Sequence, residues 1–358
     1  MGLPEIRFDV LSAGFAVIAQ ERSKRPSDYR SAQDGAAELP ERDPKCPFCP
    51  GNENETPPEV WANRREGTAD SPGWTVRVVP NKFPAVIPRP PGTVEDEAWR
   101  VPPFPESPEG VLYWQAPGVG YHEVVVESPA HNGSLGSYST EHLKKVLGAI
   151  KERCAAMYDS SDISYVQVFK NSGKTAGASL THPHFQIIGL PIMPPTILLE
   201  GHRLKEYETK TRRCLVCDLL ERESEKDVRV ILRNDRFLVL SPFASRRAYE
   251  TLIVPTEHVS GFSEMNDAMT DALAAAIHRL FGAYESMFSN LPYNMVFHGL
   301  PSAVKTKRGW PYHAHIHVYP RLNTEAGLEL GSGTYINPTS PELATREFIA
   351  AMESWEAT

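Results

Sequence analysis

The sequence is short of cysteine, has no excess of positive charge and contains no long apolar run. Five cysteines in 358 residues are too few for a disulfide-stapled secreted scaffold. Lys and Arg number 37 against 45 Asp and Glu, a formal charge of −8 with a pI near 5.9. That balance gives no basic field to hold polyphosphate backbones, which argues against nucleic acid as a partner. No segment approaches the roughly 20 apolar residues that cross a bilayer, and the start Met1-Gly-Leu-Pro-Glu-Ile-Arg7 lacks a basic region followed by an apolar one. The expectation is a cytoplasmic protein with no membrane partner. Hydrophobic content of 41% is globular, and the length suits one large or two ordinary domains.

What cysteine there is falls in a pattern. Four of the five form two Cys-x-x-Cys pairs, Cys46/Cys49 and Cys214/Cys217, a spacing that in a reducing compartment points to metal ligands more than to disulfides. Cys154 lies in a helical stretch and reads as a buried core thiol. Each half offers two histidines to complete a set: His131 and His182 with the first pair, His258 and His313 with the second. Two closed Cys₂His₂ sets suit structural Zn²⁺, and a full ligand set leaves no open position for turnover.

The chemistry is expected in Asn171-Ser-Gly-Lys-Thr-Ala-Gly-Ala-Ser-Leu-Thr-His-Pro-His-Phe-Gln186. Gly173, Gly177 and Ser179 make a loop able to bring backbone N–H groups up to a phosphate. Period-2 alternation would put His182, His184 and Gln186 on one face of a strand. Pro183 donates no ladder hydrogen bond, which predicts an edge or a passage from loop to sheet. If zinc takes His182, His184 is free to attack phosphorus and then to leave from the phosphoramidate, splitting one hard displacement into two easier ones. Gln186 is placed to hold a phosphoryl oxygen in the transition state. The basic cluster Arg22-Ser-Lys-Arg-Pro26 reads first as solvated surface; Arg22 and Arg25 are its candidate phosphate ligands.

Along the chain, 7–20 reads as a strand or hairpin, 27–45 as polar loop, 74–79 as a strand and 86–110 as a proline-rich surface loop. His122–Glu127 and Ile163–Lys170 read as strands. Thr140–Tyr158 carries helix signals, with Glu141 in its first turn and Leu143, Val146, Leu147 and Ile150 at helical spacing. From Cys214 the order of parts repeats: knuckle, strand, histidine, helix with Met269, Leu273, Ala276, Ile277 and Leu280, strand 293–298, and a strand over Tyr312–Pro320. The histidine separations agree, 182 − 131 = 51 and 313 − 258 = 55. The pattern predicts an α+β unit present twice, with a first domain at 1–200 and a second at 201–358, each a mostly antiparallel sheet with packed helices.

These residues are also where the sequence resembles the galactose-1-phosphate uridylyltransferases and their relatives the nucleotide-sugar phosphorylases, a branch of the histidine-triad superfamily. The resemblance runs through Arg22–Pro26, Cys46-Pro-Phe-Cys49, Pro80-Asn-Lys-Phe83, the segment around His131, Asn171–Gln186, 292–299 and 313–320. It implies tandem histidine-triad-like domains, a homodimer, nucleotidyl transfer through His184, zinc on His182, and contacts to a nucleotide sugar from Asn81, Asn171, Ser179 and Gln186. The acceptor it implies is a sugar 1-phosphate or phosphate. Gly331-Ser-Gly-Thr-Tyr-Ile-Asn-Pro338 looks more like the ADP-glucose phosphorylase branch than like uridylyltransferases proper. Glu200, His298, His315 and His317 match positions that bind a second metal in some uridylyltransferases, in competition with the Cys214/Cys217 set, which thiolate preference for zinc favours. His315 stands at the repeat position of His184, but no glycine loop precedes it. Two other readings stand beside transfer: a histidine-triad hydrolase that passes the nucleotidyl group to water, and a zinc-stabilised nucleotide-binding protein without turnover.

Overall fold

The computed structural model describes residues 3–20, 39–93, 97–99, 101, 112–302, 304 and 308–357. The candidates Arg22 and Arg25, and most of the two loops read at 27–45 and 86–110, lie outside the described residues. The strands are β1 Glu5–Phe8, β2 Phe15–Ile18, β3 Trp61–Arg64, β4 Trp74–Pro80, β5 Tyr121–Val126, β6 Tyr165–Ser172, β7 His184–Leu190, β8 Val230–Arg233, β9 Phe237–Leu240, β10 Thr251–Pro255, β11 Tyr293–His298, β12 His315–Pro320 and β13 Thr334–Asn337. The α-helices are α1 Thr140–Tyr158, α2 Pro195–Thr211, α3 Leu215–Lys226, α4 Asp267–Met287, α5 Gly327–Ser332 and α6 Pro341–Glu356.

Ten strands form one sheet in the order β3-β4-β5-β7-β6-β11-β12-β10-β9-β8. Read outward from the centre, β6-β7-β5-β4-β3 and β11-β12-β10-β9-β8 are the same succession, so the repeat seen in the sequence becomes a pseudo-two-fold sheet. The halves join where β6 and β11 pair antiparallel, from Tyr293 opposite Ser172 to Phe297 opposite Val168. The small sheet β1-β2-β13 closes on residues far apart in sequence, with β13 parallel to β2.

Alternation then separates two faces. Val125, Val166, Val168, Phe185, Ile187, Met295, Phe297, Ile316 and Val318 point to one face, against α1, α4 and α6 in a single core. The helix α1 presents Leu143, Val146, Leu147, Ile150, Cys154 and Met157 to it and starts at Ser139, whose side chain accepts from His142 N–H, so one orphan amide of the first turn is satisfied. Cys154 is buried there as expected, and burial pushes its thiol up to about 12. The opposite face is covered in the second half by α2 and α3, through Ile197, Leu204, Val216 and Leu220. In the first half a small cluster of Cys46, Phe48, Cys49, Val124 and Val126 covers it. His184 and Gln186 belong to this second face.

Two local expectations change. The strand β7 begins at His184, so His182 and Pro183 lie in the approach to it, and likewise His313 precedes β12. Pro183 is the passage from loop to sheet; β7 itself runs between β5 and β6 and is no edge. Cys214-Leu-Val-Cys217 is not a second knuckle: Cys214 caps α3 and Cys217 sits in its first turn.

Candidate functional site

Cys46, Cys49, His131 and His182 converge because the turn 46–49 packs onto the open face of β4 and β5 while His182 arrives from the loop before β7. Cys49 Sγ lies 3.5 Å from His131 Nδ1 and 3.6 Å from His182 Nδ1, and Cys46 Sγ lies 3.7 Å from His182 Nδ1. For Zn–S of about 2.3 Å and Zn–N of about 2.0–2.1 Å at the tetrahedral angle, sulfur and nitrogen stand about 3.5–3.6 Å apart. These three sulfur–nitrogen separations match the edges of a zinc tetrahedron, and all four donor atoms lie within 4.8 Å of one another. His182 Nε2 donates to Ser128 O at 2.8 Å, which leaves its Nδ1 lone pair facing the sulfurs, and His131 Nε2 meets Thr181 Oγ1 at 3.0 Å. Burial pushes the Cys46 thiol up to about 11, so a thiolate here calls for a cation beside it.

The second half repeats the arrangement. Cys217 Sγ is 3.6 Å from His258 Nδ1 and 3.5 Å from His313 Nδ1, Cys214 Sγ is 3.8 Å from His313 Nδ1, and His313 Nε2 donates to Pro255 O at 3.0 Å. This set is more open to solvent, with His258 exposed. A third set, Glu200, His298, His315 and His317, is wholly buried. Glu200 Oε1 is 2.9 Å from His298 Nδ1, while His315 Nε2 and His317 Nδ1 are buried with no hydrogen-bond partner, a donor set fit for a divalent ion. The sequence set this group against the Cys214/Cys217 set. In the fold the two occupy different places, and neither displaces the other.

His184 stands at the head of β7, 7% exposed, with Phe48 edge-on at 5.5 Å between ring centroids. Its Nδ1 is 2.8 Å from His182 O. A carbonyl only accepts, so Nδ1 carries the proton and Nε2 keeps its lone pair, without a partner among the described residues. Burial lowers its pKa to about 4, the nearby Lys170 charge acts in the same direction, and the His182 carbonyl opposes them. The imidazole is thus neutral across the physiological range. His315 makes the equivalent bond to His313 O at 3.0 Å, but it is fully enclosed with Nε2 3.9 Å from the Glu200 carboxylate.

Around His184 the structure gathers other residues expected from the sequence. Gln186 follows on the same face. Asn171 ends the adjacent part of β6, two residues past the Phe169–Gln186 pair. Gly173 and Gly177 have φ of 82° and 87°, the left-handed region that suits glycine, and Ser179 and Gly177 are exposed on this loop. Asn81 accepts from Phe83 N–H at 2.9 Å and reaches Gln186 through His122, whose Nε2 is 2.9 Å from Gln186 Oε1. Three participants went unremarked in the sequence. His122, the second residue of β5, touches both Asn81 and Gln186. Asn294, on β11, bonds Asn171 Oδ1 at 2.8 Å. Lys170 pairs with the buried Glu127 on the far face. Strand alternation alone carried a signal for His122, since it shares its face with Val124 and Val126.

Residues 2–194 match the family described as galactose-1-phosphate uridyl transferase, N-terminal domain, and residues 200–329 match its C-terminal domain. The ADP-glucose phosphorylase of Arabidopsis thaliana is 32% identical over 341 residues, covering 95% of this chain and 90% of that protein. The galactose-1-phosphate uridylyltransferase of Thermotoga maritima is 27% identical over 350 residues, covering 96% and 97%. Among solved structures, that of the Arabidopsis thaliana ADP-glucose phosphorylase with bound ADP-glucose superposes with a TM-score of 0.77 at 29% identity, covering 97% of this chain and 98% of that one. A uridylyltransferase structure gives 0.70 at 27% identity, covering 98% and 99%. With both halves matched over most of their length and the tandem sheet shared, the chain belongs to the galactose-1-phosphate uridyl transferase family.

Proposed function

We propose that the protein is a nucleotidyltransferase that moves a nucleoside monophosphate from a nucleotide sugar to phosphate or a hexose 1-phosphate through a nucleotidyl-His184 intermediate. The observation that carries this is the His184 ring, held by the His182 carbonyl with its Nε2 lone pair free beside a glycine loop. In the first step Nε2 attacks the α-phosphorus, a P–N bond forms, the P–O bond to the sugar phosphate breaks, and the sugar 1-phosphate leaves with the electron pair. In the second step an oxygen of the acceptor phosphate attacks the same phosphorus and the P–N bond breaks. Asn171 and Gln186 donate amide N–H to the phosphoryl oxygens as charge builds on them, and Asn81, Gly177 and Ser179 line the nucleotide's path. Zinc, when bound by Cys46, Cys49, His131 and His182 or by Cys214, Cys217, His258 and His313, supplies rigidity and takes no part in transfer. In this reading the halves 1–200 and 201–358 divide the work, one carrying the transfer chemistry and the other the support, in a cytoplasmic homodimer. The greater identity to ADP-glucose phosphorylase than to uridylyltransferases supports an adenylyl group and phosphate as acceptor.

Mass spectrometry of the protein incubated with ADP-glucose or UDP-glucose and no acceptor tests this. A nucleoside-monophosphate adduct on His184, discharged by phosphate, is the expected result. An adduct on His315 would move the active centre to the second half, and intersecting initial-rate patterns with no adduct would refute double displacement.

A further inference from the structure

The amides of Gln186 and Asn171, on the sheet face that His184 shares, have their carbonyl oxygens already engaged. For Gln186 the chain of contacts starts at a backbone group. Ala85 N–H donates to His122 Nδ1 at 3.1 Å, so Nδ1 is the unprotonated nitrogen and a neutral His122 must carry its proton on Nε2. That Nε2–H points at Gln186 at 2.9 Å, and a donor there requires Gln186 to present oxygen. The Asn81 Nδ2 contact to the same nitrogen at 3.1 Å is then a close approach rather than a bond, since Asn81 Oδ1 is occupied by Phe83 N–H. That leaves the Gln186 NH₂ as the end of the amide turned away from His122. Burial lowers the pKa of His122, in keeping with the single-proton state that the Ala85 contact demands.

Asn171 is treated the same way from the other half of the molecule. Asn294 Nδ2 donates to Ala176 O at 2.8 Å, an acceptor that cannot be mistaken for a donor, which fixes which end of the Asn294 amide is nitrogen. The same Nδ2 donates its second proton to Asn171 Oδ1 at 2.8 Å. The NH₂ of Asn171 therefore also turns away, toward the glycine loop; a Cβ built on Gly177 would stand 3.9 Å from it.

We infer that His122 and Asn294 are positioning residues that lock the amides of Gln186 and Asn171 with their donor ends toward the transferring phosphoryl group, so that the site accepts negative charge and repels a carbonyl-first orientation. An unlocked amide spends part of its time turned over, and then sets a carbonyl oxygen against a phosphoryl oxygen at the moment charge accumulates there. Asn294 reaches across the β6–β11 ladder, so the second half serves the first half's chemistry directly. The inference rests on the proposed roles of His184, Gln186 and Asn171.

The test is a double-mutant cycle on the rate of adduct formation at His184 in a single turnover, with ADP-glucose as probe. His122→Phe keeps a ring in place and removes both nitrogens; the rate is expected to fall about tenfold, as for loss of an oriented donor, with ADP-glucose affinity changed less than about threefold. In a Gln186→Ala background the same change should cost less than about twofold, because there is no amide left to orient. Asn294→Ala should behave likewise with Asn171→Ala. Equal losses in both backgrounds would overturn the inference while leaving the roles of Gln186 and His184 standing. A Gln186→Ala enzyme as fast as wild type would overturn the proposed role of Gln186 and the inference with it. Independently of activity, ¹⁵N–¹H NMR of the unaltered protein should show His122 protonated on Nε2, and a proton on Nδ1 would refute the mechanism of locking.

Discussion

Replacing Lys170 by Met tests the support beneath the His-Pro-His segment. Lys170 and Glu127 form a direct ion pair with side chains 4% and 0% exposed, on the helix-covered face. Lys170 Nζ stands 5.3 Å from the centroid of the Phe185 ring. Glu127 N–H donates to Pro183 O at 3.2 Å and its carbonyl meets His142 Nε2 at 2.7 Å, so the pair anchors the turn that leads into β7. Glu127 Oε2 finds no hydrogen-bond partner. Burial raises the Glu127 pKa above its ordinary 4.5, and the Lys170 charge is what restrains that rise. Removing one partner of a buried pair costs about 3–5 kcal/mol, whereas replacing both by apolar or neutral groups is often near neutral. The pH dependence follows from the raised pKa. Stability tied to Glu127 is fully present below the unfolded value near 4.5 and is lost as pH rises through the folded value. Without Lys170 that folded value moves higher still, so the loss in Lys170→Met should be about 3–5 kcal/mol at pH 8 and shrink by half or more near pH 4.5. Urea unfolding of the metal-loaded protein at both pH values, with unchanged slope, measures it. Adding Glu127→Gln to Lys170→Met should recover most of the loss at pH 8. A loss below about 1 kcal/mol, or one equal at the two pH values, would refute the reasoning.

Protein purified without added metal should carry about two zinc ions per chain, one in each Cys₂His₂ set; a fully folded, metal-free protein would rule this out by elemental analysis. Cys46→Ser should lower the folded fraction by circular dichroism more than it lowers adduct formation by the folded remainder, because binding energy here is folding energy. With the His184 pKa lowered from 6.5 to about 4, adduct formation should stay flat from pH 8 to 5 and fall only below, in quenched single turnovers. An ordinary imidazole would already be about 30-fold depleted of its neutral form at pH 5, so a one-proton decline centred near 6.5 contradicts the buried, neutral nucleophile. Gln186→Ala should still form the adduct but slow both half-reactions by about 10²-fold, and steady-state patterns should remain parallel.

Some of this protein was determined by sequence alone. The helix Thr140–Tyr158 was legible because capping at Ser139 and the spacing of Leu143, Val146, Leu147 and Ile150 are local signals. The convergence of the candidate metal sets was legible because Cys-x-x-Cys imposes its own geometry within one turn, and the order of cysteines and histidines in two halves announced the duplication. The glycine loop before His-Pro-His was legible because φ near 82–87° at Gly173 and Gly177 is a property of the residue type. Other features are decided by pairing over long distances, which leaves no local mark. Asn294 meets Asn171 only because β6 and β11 join the halves in one register, and a slip of one residue would turn every side chain of the strand to the other face. Lys170 sits on a strand whose neighbours in sequence do not reveal that Glu127, 43 positions away, will be walled in beside it. The helix α2 escaped notice because it buries chiefly Ile197, Glu200, Gly201 and Leu204, a thin apolar stripe in a polar segment. Whether Cys214 ends in a knuckle or caps a helix, and whether Glu200 joins His298, His315 and His317 or stands alone, depends on where α2 and α3 pack against the sheet. Ligand types and turns are written in the chain; which amide faces which proton is settled only when the ladder closes.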